Sequence, residues 1–255
     1  MAEAQRVYLH GQPGSPAELR LAGVEPGPGL FAPDRNGFHP TLAEDAALDR
    51  LAEDVARRFP QGAIRLIGFS LGAYVAVELA LRLADRGRAA DLSLDLVSAA
   101  GPLALGDFLP DMAGGAVFGL ARASPTVFAA LTVVQRRLAA LAPGLLQRQL
   151  FATAAGADAD LARDPAFQGL LREILAASLG PVYRREVRAY ARWPAERLAA
   201  LTAPVALWHG EADTWAPLAM AQAVADARPA SRSLTVLPGL SHYSTLKAVA
   251  PRLGL

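Results

Sequence analysis

The chain has 255 residues, of which 53% are hydrophobic and 19% are charged, with a formal net charge of +1. This composition is typical of a globular protein with one large domain, and the lack of a polybasic tail or an acidic run argues against nucleic acid as a partner. Because the chain has no cysteine, disulfides, thiolate catalysis and cysteine zinc sites are excluded. The sequence has no stretch typical of a membrane span and no signal-peptide pattern, so we expect a cytoplasmic protein.

Short apolar segments alternate with helical patterns in both flanks of the sequence, which is typical of an α/β protein with a parallel sheet covered by helices. The predicted strands lie near residues 6–9, 28–32, 63–68, 92–98, 203–208 and 232–237. Apolar residues at steps of three or four predict a surface helix over 41–59. Residues 71–84 are apolar nearly all round, which predicts a buried helix.

Residues 102–200 contain no convincing strand, and prolines punctuate a series of helical patterns there. We therefore predict a core formed by residues 1–101 and 201–255, with residues 102–200 inserted as a helical cap. One apolar stripe in the cap is interpreted as ordinary packing and consists of Val127, Leu131, Val134, Leu138 and Leu141. A second stripe follows Asp164 as N-cap and Pro165 at the first helical position, and it consists of Phe167, Leu170, Leu171 and Ile174.

The cap also carries many arginines, which are Arg136, Arg137, Arg148, Arg172, Arg184, Arg185, Arg188 and Arg192. A solvated helical face explains them, and the alternative is that one or two turn inward to hold a carboxylate or phosphate of a substrate. Trp193 and Trp215 either line an acyl pocket or lie buried between cap and core.

The segment GFSLG, residues 68–72, lies between a predicted strand and a predicted helix. Glycines two residues to either side of a serine permit a sharp strand-to-helix turn, and this turn, a nucleophile elbow, exposes the serine hydroxyl. Ser70 is therefore the candidate nucleophile.

A serine hydroxyl is a weak nucleophile unless an imidazole takes its proton and a carboxylate orients that imidazole. Asp213 follows the penultimate predicted strand, and His242 follows the last one. Because ligands bind at the carboxyl ends of the strands of open α/β sheets, we expect Ser70, Asp213 and His242 to lie together at that edge. Three other acids compete for the carboxylate role, and these are Glu211, Asp107 and Asp111.

Five motifs, HGQPG, PDRNGF, GFSLG, GEADTWAP and GLSHY, are spread over nearly the whole chain. In these motifs the chain resembles the α/β-hydrolase superfamily, of the serine esterase type with a helical cap. The resemblance implies the α/β-hydrolase fold, with a mostly parallel sheet of about six strands and helices on both faces. It also favours Asp213 over the competing acids, because the spacing to Pro217 matches the family pattern.

The resemblance further assigns the oxyanion hole to the backbone N–H groups of Gln12 and Leu71, which would stabilise the negative oxygen of a tetrahedral intermediate. It implies that His10 braces the loop that carries Gln12. His209 is expected to be a strand-end residue, and His39 is left open between the pocket mouth and solvent.

These residues predict a serine hydrolase that cleaves a carboxylic ester, a thioester or a lactone through an acyl-enzyme intermediate. The apolar cap favours a hydrophobic acyl or alcohol group, so the expected partner is a small ester-type substrate. The alternatives are a C–C bond hydrolase, lyase or perhydrolase with the same triad, or a ligand receptor without turnover. Scattered histidines, the lack of an HExxH motif and the lack of a GxGxxG motif predict neither a metal nor a cofactor. The oligomeric state is not predicted.

Overall fold

The computed structural model describes residues 4–228 and 233–255. Its six strands form one parallel sheet in the order β2-β1-β3-β4-β5-β6. The strands are β1 Gln5–Leu9, β2 Leu30–Phe31, β3 Ile64–Phe69, β4 Leu92–Val97, β5 Val205–Gly210 and β6 Leu234–Leu237. The predicted α/β sheet of six strands is confirmed. Residues 1–3 of the predicted core, and residue 232 at the predicted start of the last strand, lie outside the described residues.

Eleven α-helices lie within the described residues. They are α1 Glu44–Arg58, α2 Gly72–Leu83, α3 Gly115–Ala123, α4 Pro125–Leu141, α5 Pro143–Leu150, α6 Ala157–Leu161, α7 Pro165–Ser178, α8 Pro181–Tyr190, α9 Ala195–Ala199, α10 Leu218–Asp226 and α11 His242–Val249. As predicted, α1 buries one face only, whereas α2 is buried along nearly its whole length between β3 and α1. None of the described helices is both long enough and apolar enough to cross a membrane.

The chain between β4 and β5 contains the seven helices α3 to α9 and no strand, all within the described residues. α7 begins as the sequence predicts, since Asp164 Oδ1 accepts a hydrogen bond from Ala166 N at 2.9 Å. Its apolar stripe is buried at Phe167, Leu171 and Ile174. The division of the chain into a core and a cap stays a prediction.

The packing predicted for the apolar stripe of α4 is wrong for most of the stripe, although Leu138 is partly buried against the core. Three of its five members are more than half exposed, and these are Val127, Val134 and Leu141. α4 instead packs through a face rotated by roughly 100° on the helix, one residue along the chain, whose buried members are Phe128, Thr132 and Ala139. Periodicity defines which residues share a face but not which face meets a neighbour. Here the ring of Phe128, 5.9 Å from that of Tyr183 on α8, lies on the packed face.

Candidate active site

Ser70 occupies the sharp turn between β3 and α2. Its φ of 55° lies in the left-handed region, which is uncommon for residues other than glycine. The flanking glycines permit this turn, because a Cβ on Gly72 would lie 1.9 Å from Leu9 O and one on Gly68 would lie 2.7 Å from Gly72 O. The backbone of the turn is fixed by a 3.0 Å hydrogen bond from Ser70 N to Val97 O at the end of β4.

Asp213 and His242 are in direct contact at the same edge of the sheet. Asp213 lies three residues after β5, and His242 is the first residue of α11. The Nδ1 atom of the imidazole lies 2.9 Å from one carboxylate oxygen of Asp213 and 3.1 Å from the other. The side chain of Asp213 is further held by the backbone N–H groups of Trp215 and Ala216, at 2.9 and 3.0 Å. The three competing acids, Glu211, Asp107 and Asp111, are exposed.

Each member of this pair shifts the pKa of the other. Burial alone lowers the pKa of His242, but the charge of Asp213 and the hydrogen bond to it outweigh burial, so the pKa of the imidazole is raised. Burial alone raises the pKa of Asp213, but the attraction of His242 and the hydrogen bonds it accepts outweigh burial, so the pKa of the carboxyl is lowered. The pair therefore favours a charged imidazolium beside a carboxylate.

The residue before Ser70 contacts this pair, whereas the hydroxyl of Ser70 makes no hydrogen bond with any described residue. The ring centroids of Phe69, its neighbour in β3, and of His242 are 4.8 Å apart. Because Nδ1 of His242 contacts Asp213, its Nε2 atom is the nitrogen that can serve as a base. Hydrogen bonds between catalytic groups often form only in the complex with substrate, so the contact of Ser70 with His242 stays a prediction.

Gln12 and Leu71 line the same cavity as Ser70. Neither backbone N–H donates a hydrogen bond to a described residue, so both are free to bind a ligand. The loop of Gln12 passes directly against the serine, since a Cβ on Gly11 would lie 3.1 Å from the Cβ of Ser70. Both predicted donors are thus at the cavity, and their role as an oxyanion hole stays a prediction.

His10 braces this loop from both ring nitrogens. Its Nδ1 lies 2.8 Å from Gly11 O, and its Nε2 lies 3.2 Å from Arg35 N. Burial, together with the nearby Arg35 charge, lowers the pKa of His10 well below its usual value. A neutral ring that donates from Nδ1 and accepts at Nε2 satisfies both contacts. His209 is a buried strand-end residue bonded to Ala216 O, and His39 is exposed.

A buried carboxyl group that the sequence did not reveal lies beneath the loop. Glu18 Oε1 accepts hydrogen bonds from the hydroxyl of Tyr8 at 2.6 Å and from Gly11 N at 3.0 Å. Burial raises the pKa of Glu18 from 4.5 to about 7, against the opposing effect of these hydrogen bonds. The loop of Gln12 is therefore anchored to a group that titrates near neutral pH.

A second unforeseen group joins the loop to α8. The guanidinium of Arg35 makes two hydrogen bonds to Glu186, at 2.9 and 3.0 Å, and Glu186 also accepts one from Gln12 Nε2 at 3.0 Å. The side chains of Arg35 and Glu186 are only 3% exposed. This buried ion pair therefore connects the helical segment to the loop beside Ser70.

A third unforeseen residue is Asp158, at the second position of α6. Its buried carboxylate accepts hydrogen bonds from the backbone N–H groups of Tyr243 and Ser244, at 2.9 and 2.8 Å. These N–H groups belong to the first turn of α11, where a negative charge is favourable. Asp158 therefore holds the helix end that carries His242.

The cavity above Ser70 is lined mainly by apolar side chains of the helical segment, including Met112, Val117, Phe118, Leu146, Leu150 and Leu175. Trp215 lines it as well and stacks on His242 with ring centroids 5.8 Å apart. Trp193 does not line the cavity, and its indole N–H instead donates a hydrogen bond to Glu78.

None of the eight cap arginines noted in the sequence lines this cavity. No group of residues suited to hold a metal occurs in the described part of the chain.

Comparison with known proteins agrees with this architecture. The chain matches a thermophilic esterase from Thermogutta terrifontis with a TM-score of 0.66 and 20% identity, over 99% of this chain and 87% of the other. It matches a bromoperoxidase from Bacillus anthracis with a TM-score of 0.63 and 16% identity, over 98% and 89%. The chain has the α/β-hydrolase fold. It also resembles Est816, described as an N-acyl homoserine lactone degrading enzyme, with a TM-score of 0.62, 17% identity and coverage of 98% and 91%.

At the level of sequence, a family model for the thioesterase domain matches residues 29–94, a segment of the α/β-hydrolase fold that includes the elbow at Ser70. No curated protein sequence matches the chain.

Proposed function

We propose that the protein is a serine hydrolase that cleaves carboxylic esters or thioesters with a hydrophobic acyl group. The observation that carries the proposal is the buried Asp213–His242 pair at the sheet edge where Ser70 occupies its left-handed turn. The solved structures named esterases and the thioesterase family model support hydrolysis of an ester bond in general.

In the proposed reaction, His242 Nε2 takes the proton of Ser70 while the serine oxygen attacks the carbonyl carbon. The negative oxygen of the tetrahedral intermediate accepts hydrogen bonds from the N–H groups of Gln12 and Leu71. The imidazolium then protonates the leaving alcohol or thiol, which leaves an acyl group on Ser70. Water, deprotonated by His242, releases the acid and restores the serine.

Asp213 contributes by orientation and charge. Its contact with Nδ1 directs Nε2 of His242 toward the substrate side, and its charge stabilises the imidazolium that forms in each half-reaction. Residues 102–200 are proposed to act as the cap that shields the acyl group, since their side chains supply most of the apolar lining.

The test is hydrolysis of p-nitrophenyl esters from acetyl to hexanoyl by the wild type and by Ser70→Ala. We expect kcat/KM to rise with acyl length and kcat to fall by about 10⁶ in the variant. Equal activity of the variant would show that Ser70 is not the nucleophile. A flat dependence on acyl length would overturn the hydrophobic acyl preference.

The thioester is the second candidate substrate, because a thioesterase family model matches the segment that includes Ser70. Measuring kcat/KM for an oxygen ester and a thioester with the same acyl group separates the two. A thioester preference that persists across acyl lengths would identify the leaving group, rather than the acyl group, as the determinant.

A further inference from the structure

The outward surface of α4 and the start of α5 is apolar where a solvent-facing surface is usually polar. Leu141 is 82% exposed, and four further aliphatic residues are about half exposed. The only charged residues on the exposed face of α4 are two arginines. We define the α4 surface as Val127, Val133, Val134, Arg136, Arg137, Leu141 and Leu145.

The charge of this region has one sign. Residues 112–157 contain four arginines, no lysine and no acidic residue. Arg136 and Arg137 form no ion pair and no hydrogen bond with a described residue, whereas Arg50 and Arg57 of α1 each contact a carboxylate. A basic apolar surface without acids attracts an anionic partner with an apolar part.

A second copy of this chain fits the surface poorly. A two-fold dimer would place the same surface on both partners, so Arg136 and Arg137 would face their own copies with no acid to compensate. A protein partner is also disfavoured, because the binding hot spots of protein interfaces are rich in Trp, Tyr and Arg and poor in Val and Leu, and of these favoured types the surface has arginine alone. The α4 surface has aliphatic side chains and no aromatic ring.

We propose that the α4 surface binds the interface of a membrane that contains anionic lipids. Helices that lie in a membrane interface combine large apolar residues such as Leu, Phe and Trp, which enter the boundary between headgroups and acyl chains, with Lys or Arg, which meet anionic headgroups. Leu141 and Val134 supply the aliphatic contact, and Arg136 and Arg137 supply the charge.

This placement also gives the cavity a source of apolar ligands. A surface groove that includes Val133, Arg136 and Leu141 shares the side chain of Leu179 with the cavity above Ser70. An acyl chain held at the interface would therefore meet the groove next to the cavity. This step rests on the proposed function, whereas binding to the membrane does not.

The experiment is flotation of the full chain with vesicles of phosphatidylcholine alone and with vesicles that also contain phosphatidylglycerol. We expect binding to the anionic vesicles that weakens as salt is added. The double variant Arg136→Gln/Arg137→Gln should lower the partition coefficient by roughly 30-fold, since each basic residue near the surface contributes about fivefold. Leu141→Gln should lower it by roughly tenfold.

The matched control is Arg50→Gln/Arg57→Gln, which removes the same charge from α1 and should bind as the wild type does. Failure of the wild type to bind anionic vesicles would overturn the proposal, as would equal losses in the two double variants. A dimer that Leu141→Gln converts to a monomer would overturn it in favour of a contact between copies. Thermal unfolding reports whether each variant is folded, and binding without ester hydrolysis would contradict the proposed function alone.

Discussion

The sheet edge around Ser70 and the outer surface of α4 differ in the burial and pairing of their charged side chains. At the sheet edge, the charged groups are buried and paired, as in Asp213 with His242 and Arg35 with Glu186. On α4, Arg136 and Arg137 are exposed and have no partner among the described residues. A buried charge needs a partner, because an unpaired one costs several kcal/mol, whereas an exposed charge remains available to bind. The first region is organised for fixed geometry and the second for an encounter with another surface.

Among the substitutions that change charge, the largest effect is expected from Asp213→Asn. Loss of the carboxylate that orients the imidazole should lower kcat by about 10⁴. The Asp213 charge raises the pKa of His242, and His242 must be neutral to accept the proton of Ser70. Activity should therefore rise with pH through a pKa above the usual value in the wild type, and this rise should move to lower pH in the variant. The pH profile of kcat/KM measures both effects.

Glu211→Gln is the matched control, because Glu211 is an exposed acid two residues away. It should change neither the rate nor the profile. If the acidic limb of the kcat/KM profile lay at the same pH in Asp213→Asn as in the wild type, the pairing of Asp213 with His242 would be contradicted.

Glu186→Gln should be the most destabilising of the charge substitutions. It leaves the buried Arg35 without its counter-charge, and such a loss costs about 3 to 5 kcal/mol of unfolding free energy. Glu173→Gln removes the acid of a surface pair with Arg20, in which the side chains are 40% and 58% exposed, and should cost less than about 1 kcal/mol. Urea denaturation measures the two values, and equal losses would contradict the contrast between buried and exposed charge.

Glu18→Gln tests the carboxyl beneath the loop of Gln12. In the folded protein Glu18 keeps its proton up to a pH of about 7, whereas its unfolded value is near 4.5. The folded state therefore binds more protons in this window, and its stability should fall as pH rises through it, by about 3 kcal/mol. Gln cannot ionise, so the variant should lack this fall.

The measurement is the unfolding free energy of the wild type and of Glu18→Gln at pH 4.5 and at pH 7. The difference between the two proteins in their change with pH gives the contribution of Glu18. Glu44, whose pKa burial also raises to about 7, is present in both proteins and cancels in the difference. Parallel pH profiles for the two proteins would show that Glu18 ionises normally in the folded state.

The smallest effect is expected on the outer side of α4. Val134→Ala should change the unfolding free energy by less than about 0.5 kcal/mol, because the side chain is exposed. Phe128→Ala, on the buried side of the same helix, should cost about 3 to 5 kcal/mol. Similar losses at the two positions would mean that the outer side of α4 is buried in solution.

Features that depend on neighbours along the chain were predictable from the sequence. The six strands, the turn at Ser70 and the N-cap at Asp164 each follow from a local pattern of apolar residues, glycine or proline. The contact of Asp213 with His242 was also predictable, because both residues follow strands whose carboxyl ends share one edge.

Features that depend on contacts between distant segments were not predictable. Asp158 and the pair of Arg35 with Glu186 have no local pattern, because each is defined by a partner far away in the chain. The partners of Glu18, Tyr8 and Gly11, are near in the chain, but they meet it across an irregular loop that no periodic pattern describes. The packed face of α4 was predicted wrongly for a similar reason. Both sides of the helix carry apolar residues, and only the contacts with neighbouring helices determine which side is buried. Except for Glu18, whose partners lie within the predicted core, the unpredicted features lie where the helical segment meets the core or at the outer surface of that segment.

The most direct test of the account is the reaction of the full chain with a fluorophosphonate, followed by mass spectrometry of the intact protein and of its peptides. We expect one adduct on Ser70, at a rate that falls strongly in His242→Ala, and no adduct in Ser70→Ala. A wild type that stays unlabelled, or an adduct that forms equally in Ser70→Ala, would contradict the assignment of a serine nucleophile to the sheet edge.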